Sequence, residues 1–103
     1  MEKTIFKEKR LYQRHPCFLT GDFSSSHDNS GKVECHDVSI FGLGLTADSD
    51  LSMGAILRIN LITKKQVPFT LEGKVCWCNE QEGDWRAGVV LDKPFLYPLE
   101  IVQ

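Results

Sequence analysis

Apolar and polar residues alternate with a period of two along much of the chain, the pattern of β-strands with one buried face. It is clearest where Ala55, Leu57, Ile59 and Leu61 interleave with Ile56, Arg58, Asn60 and Ile62, before Lys64 and Lys65 mark a solvent-exposed end. Phe69, Leu71, Val75 and Trp77 share one phase and Thr70, Glu72, Lys74, Cys76 and Cys78 the other, while Gly73 between them predicts a bulge or sharp bend. Trp85, Ala87, Val89 and Leu91 alternate with Arg86, Gly88, Val90 and Asp92, which assigns Trp85 to the core.

The first half of the chain is punctuated more strongly. Cys17 to Phe23 reads as the first strand, Ser24 to Gly31 as a polar loop and Lys32 to Val38 as the second strand, together a hairpin. Ser39 to Gly44 turns the chain, Leu43 and Leu45 begin a third strand, and Asp48 to Gly54 and Glu80 to Gly83 are further turns. About six strands joined by short turns, without a helix-period segment, predict an all-β antiparallel sandwich or small barrel. Residues 1–9 alternate charge with only Ile5 and Phe6 as apolar anchors and read as a flexible arm, leaving 10–103 as one domain. Pro94 and Pro98 leave room for at most a short or irregular C-terminal helix over Phe95 to Val102.

Composition narrows the function classes. A chain of 103 residues can bury roughly 60–70% of its unfolded surface, enough for one core. The formal net charge of -2 argues against a protein that coats polymeric nucleic acid or anionic membrane, so an anionic ligand has to be met locally. The N-terminus lacks the apolar run of a signal peptide and no stretch is apolar enough to insert in a membrane, which predicts a cytoplasmic protein. The four cysteines, Cys17, Cys35, Cys76 and Cys78, are then expected as reduced thiols.

Two short motifs carry the chemistry. Arg10 and Arg14 stand four apart in RLYQR, and an acidic turn follows the second strand as Asp37-Val38-Ser39-Ile40-Phe41-Gly42. The planar arginine fork suits phosphate and also the O6 and N7 acceptors of guanine. A carboxylate beside a hydroxyl is the complement, accepting from the N1 and N2 edge of guanine. Asp37 and Ser39 share a face if the strand continues that far, and Gly42 and Gly44 let the backbone turn tightly and approach a ligand. Taken singly, the arginines are ordinary solvated surface and the acidic turn an ordinary self-bonded turn. Their complementary chemistry, in this order, is what points to a site.

These motifs resemble the two signatures of the PilZ domain, RxxxR and (D/N)xSxxG, found in bacterial receptors for cyclic di-GMP. Glu72 to Trp77 and Trp85 to Val89 are also similar to late-strand segments of that family, so the resemblance spans nearly everything after Lys9. It implies a six-stranded antiparallel β-barrel that binds cyclic di-GMP between the arginine loop and the barrel surface. By this resemblance Arg10 and Arg14 contact phosphate and guanine, Asp37 and Ser39 hold a guanine, Gly42 shapes the turn, and Lys9 adds a cation. The expected partners are cyclic di-GMP and a downstream protein that reads the surface changed by binding. No catalytic residues, metal or cofactor are expected. The short tail departs from the substantial C-terminal helix of many family members.

Trp77 has two readings. Its phase with Val75 and Leu71 places it in the core at a barrel mouth, and its indole is also a stacking platform for guanine, worth about 1–3 kcal/mol. Zinc is the alternative for Cys35-His36 and Cys76-x-Cys78, but the latter pair sits inside a strand pattern, and adjacent strand residues point to opposite faces. A single-strand-binding barrel would need exposed aromatics along a basic groove. An adaptor that keeps the fold but ignores nucleotide is the remaining alternative.

Overall fold

The computed structural model describes residues 13–96, with the six strands that the alternation predicts. They are β1 (His15–Ser25), β2 (Ser30–Ser39), β3 (Gly42–Ala47), β4 (Ile56–Ile62), β5 (Pro68–Gln81) and β6 (Asp84–Leu91). All pair antiparallel and close into a barrel in the order β1-β2-β3-β6-β5-β4. The arm, Lys9 and Arg10, and most of the tail expected to hold a short helix lie outside the described residues. Within them, Asp92 to Leu96 form no helix, and no helix is long and apolar enough to cross a membrane.

Inward-facing residues fill the barrel, as a six-stranded cylinder is too narrow to hold a channel. Phe23, Leu43, Leu57, Ile59 and Leu61 are each at most 2% exposed. Both openings are covered. The connection from β3 to β4 buries Leu51 and Ala55, and Asp50 fastens it by accepting at its carbonyl from Asn29 Nδ2 at 2.7 Å. Phe95 packs edge-on against Phe69, ring centroids 6.1 Å apart, and its amide donates to the Ile40 carbonyl.

Irregularities in the ladders decide which residues face outward. The β1–β2 register slips between Pro16 and Leu19, β2–β3 slips between Cys35 and Asp37, and β5–β6 slips between Val75 and Trp77. Each is one extra residue on one strand, which reverses the side-chain phase beyond it. In β2 the inward series Val33, Cys35 resumes at Val38, which leaves Asp37 on the outer face; Ser39 follows it in phase but is buried, 9% exposed.

Three expectations change here. The bulge in β5 falls at Cys76, not at Gly73. Gly73 stays in register with Leu57 and Leu91, and a Cβ there would meet the Val90 carbonyl oxygen at 2.5 Å, so close strand packing is what requires glycine. The bulge also turns Trp77 out of the core, where its phase with Val75 had placed it; the indole is 44% exposed. Trp85 is half-buried near the end of β6 and not a core residue, because the β5–β6 ribbon projects past the packed centre of the barrel.

Candidate functional site

The end of β2 and the start of β3 bring three residues of the predicted site together. The tight turn Ile40-Phe41 sets Ser39 opposite Gly42 and Asp37 opposite Gly44. Arg14, just before β1, reaches across and donates from Nη1 to Asp37 Oδ1 at 2.9 Å. Both side chains remain substantially open to solvent, 53% exposed for Arg14 and 36% for Asp37. A Cβ on Gly42 would stand 3.2 Å from Ser39 Oγ and 3.7 Å from Arg14 Nη1, so arginine, hydroxyl and carboxylate converge on this corner. Arg10 and Lys9, predicted for the same site, fall outside the described residues.

The glycines act differently from the expected tight turning. Positive φ occurs at Gly54 and Gly83, whereas Gly42 and Gly44 are extended members of β3. What they supply is space. A Cβ on Gly44 would approach Asp37 Oδ2 to 2.6 Å, so the carboxylate lies directly on the Gly44 backbone. Gly44 in turn pairs with Gly88, and Gly88 with Trp77. The indole covers Gly88 so closely that a Cβ would stand 2.1 Å from Nε1.

The outer face therefore carries one row across four strands, Asp37, Gly44, Gly88 and Trp77. At about 4.8 Å per strand, roughly 14 Å separates the carboxylate-bearing backbone from the tryptophan-bearing backbone. The two adjacent glycines make room for side chains from the flanking strands to lie flat on the sheet, the Asp37 carboxylate over Gly44 and the Trp77 indole over Gly88. The part played by Gly88 was missed from the sequence, because its alignment with Gly44 depends on cross-strand register.

The bulge that turns Asp37 outward is pinned by His36, whose Nε2 lies 2.7 Å from Thr46 Oγ1 on β3. Its signal in the sequence is the phase slip from Cys35 to Val38, since strict alternation would bury the Asp37 charge, at high cost. Cys35 is buried on the opposite side from His36, and its Sγ lies 3.9 Å from Cys17 Sγ. Cys17 is held below the ordinary thiol range by its hydrogen bond with Cys35, and Cys35 is pushed up by that same bond and by burial. Cys76 and Cys78 donate to the Gly88 carbonyl and to Asp50 Oδ1, and burial raises Cys78. Among the described residues no cluster of three or more His, Cys, Asp or Glu is placed to hold a metal ion.

This outer corner is built from the residues that match the (D/N)xSxxG signature and the second arginine of RxxxR, and the PilZ domain family model matches residues 8–94. The chain belongs to the PilZ domain family. The match includes both motifs and all six strands, so the ion pair between Arg14 and Asp37 joins the two signatures of this PilZ domain in space. Among curated proteins, none matches the chain.

Proposed function

We propose that this PilZ domain is a bacterial cytoplasmic receptor for cyclic di-GMP, acting by binding and not by catalysis. The observation that carries the reading is the Arg14–Asp37 pair set over the Gly44 backbone, with Ser39 beside it. One guanine has its needs met there: Asp37 accepts from N1–H and the N2 amino group, and Ser39 adjusts as donor or acceptor. Arg14 then turns to phosphate or to O6 and N7. Exchanging the ion pair for ligand is inexpensive, because a solvent-exposed pair contributes about 0–1 kcal/mol.

The indole of Trp77, laid over Gly88 with its outer side exposed, offers a base a stacking face along the same row as the Asp37 carboxylate. Arg10 and Lys9 supply the further cations that a ligand with two phosphates requires. Turning Arg14 from Asp37 to the ligand changes what this corner presents, so ligand occupancy becomes a different protein surface for a downstream partner. Calorimetric titration with cyclic di-GMP tests this: saturable binding is expected, and no heat up to millimolar ligand would overturn it. A partner captured equally with and without the nucleotide would favour a ligand-independent adaptor.

A further inference from the structure

The Cys17–Cys35 pair is not used by the binding site, yet it lies between the two motifs. Cys17 occupies the irregular stretch of β1 where the register slips, and Cys35 stands immediately before the β2 bulge. In the ladder the partner of Cys35 is Leu19; the extra residue in β1 is what carries Cys17 Sγ to 3.9 Å from Cys35 Sγ. The two sulfurs differ in access, since Cys35 is 0% exposed and Cys17 is only partly covered. We propose that Cys17 and Cys35 form an oxidation site, in which a peroxide converts the pair into an intramolecular disulfide that cross-links β1 to β2.

Cys17 meets the oxidant and Cys35 resolves the product. The Cys17 thiolate attacks a peroxide oxygen, forming S–O as O–O breaks, and the released hydroxide leaves as water after protonation. The Cys35 sulfur then attacks Cys17 Sγ, forming S–S as S–O breaks, and its proton leaves with the second water. Two thiols lose two electrons and hydrogen peroxide becomes two waters. A dithiol reductant restores the pair by exchange. The hydrogen bond that favours the Cys17 thiolate and the burial that keeps Cys35 protonated suit this division of roles.

Oxidation also removes two donors from the backbone. Cys17 Sγ donates to the Cys35 carbonyl at 3.6 Å, and Cys35 Sγ donates to the Asp37 carbonyl at 3.4 Å. A disulfide carries no proton, so the bulge holding Asp37 loses a hydrogen bond while its neighbour is tethered. The consequence for ligand rests on the cyclic di-GMP reading: affinity falls several-fold on oxidation and recovers with dithiothreitol.

The test treats the full chain with limiting hydrogen peroxide, alkylates the remaining thiols and maps tryptic peptides. Cleavage after Arg14, Lys32 and Arg58 separates the cysteines, so the cross-link appears as peptide 15–32 joined to peptide 33–58. Two of the four cysteines should then escape alkylation, Cys76 and Cys78 should stay reactive, and Cys76→Ser should change nothing. Cys17→Ser and Cys35→Ala should each abolish the linked peptide; the exposed-side variant keeps the test valid if the buried one misfolds. Four alkylated cysteines, an intermolecular dimer through Cys76, or Cys17 halted as a sulfenic acid would overturn the proposal. An unlinked affinity with the cross-link present would overturn only its coupling to ligand, and absence of binding in both redox states would instead count against the receptor reading.

Discussion

Gly88→Ala probes the outer face of the barrel through the Trp77 ring that lies on Gly88. The new methyl would stand 2.1 Å from Trp77 Nε1 and 2.7 Å from Cε2, so the indole has to move. With 44% of Trp77 exposed, a little over half is covered. A fully buried tryptophan hides about 150–250 Å², so the cover amounts to about 100 Å², or roughly 2.5 kcal/mol at ~25 cal/mol per Å². The stiffer unfolded chain that alanine confers offsets about 0.4–1 kcal/mol of this. A net loss of about 1–2 kcal/mol follows, which for a domain of this size lowers the Tm by roughly 4–16 °C. Calorimetry measures that loss, and tryptophan emission should shift to the red as the ring enters water. In a Trp77→Ala background the obstacle is gone, and Gly88→Ala should then stabilise the domain by about 0.4–1 kcal/mol. Equal costs in the two backgrounds would refute the contact between indole and glycine.

Gly44→Ala places its methyl 2.6 Å from Asp37 Oδ2, so it should reduce cyclic di-GMP affinity by more than about tenfold in a titration. It should lower stability by less than about 1 kcal/mol, because the ion pair it disturbs is exposed. Arg14→Ala should remove most of the affinity with an almost unchanged Tm in the free protein; parallel losses of fold and binding would make Arg14 structural. Leu43→Ala, at a position 0% exposed, should cost about 2–5 kcal/mol in chemical denaturation. As pH rises, Cys17 should be alkylated by iodoacetamide before Cys78, because Cys35 favours the Cys17 thiolate whereas burial disfavours that of Cys78. Prior labelling of Cys78 would contradict this order.

The strands were legible because the pleat imposes a period of two, and β4 shows it without interruption at Leu57, Ile59 and Leu61. The bulges were not, since an extra residue leaves only a slip of phase. At Asp37 that slip is readable in principle, because a carboxylate cannot follow Val33 and Cys35 inward. At Cys76 and Trp77 nothing marks it: either residue suits either face, which is why the sequence leaves Trp77 with two readings, core at a barrel mouth or stacking platform. Gly73 attracted a bulge that belongs three residues later, because a glycine needed for strand contact and one needed for a kink look alike in sequence. Asp37, Ser39 and Gly42 could be chosen from local spacing, whereas Gly88 became visible only when β3 and β6 were set in register. The motif identifies the pieces of the corner, and long-range pairing supplies the surface between them.

Closure of the barrel limits how any partner can read that surface. Each of the six described strands is paired on both sides over part of its length, so only short edges are left for a visiting strand, residues 15–19 of β1 and 76–81 of β5 on their β4 sides. Over the closed part of the cylinder, recognition therefore passes through outward side chains. Apolar residues such as Phe18, Ile62 and Val90 are available on that shell, at 53%, 44% and 51% exposure. Outward positions contribute little to the packed interior, so evolution can rewrite partner choice there while the cylinder and its Arg14–Asp37 corner stay intact.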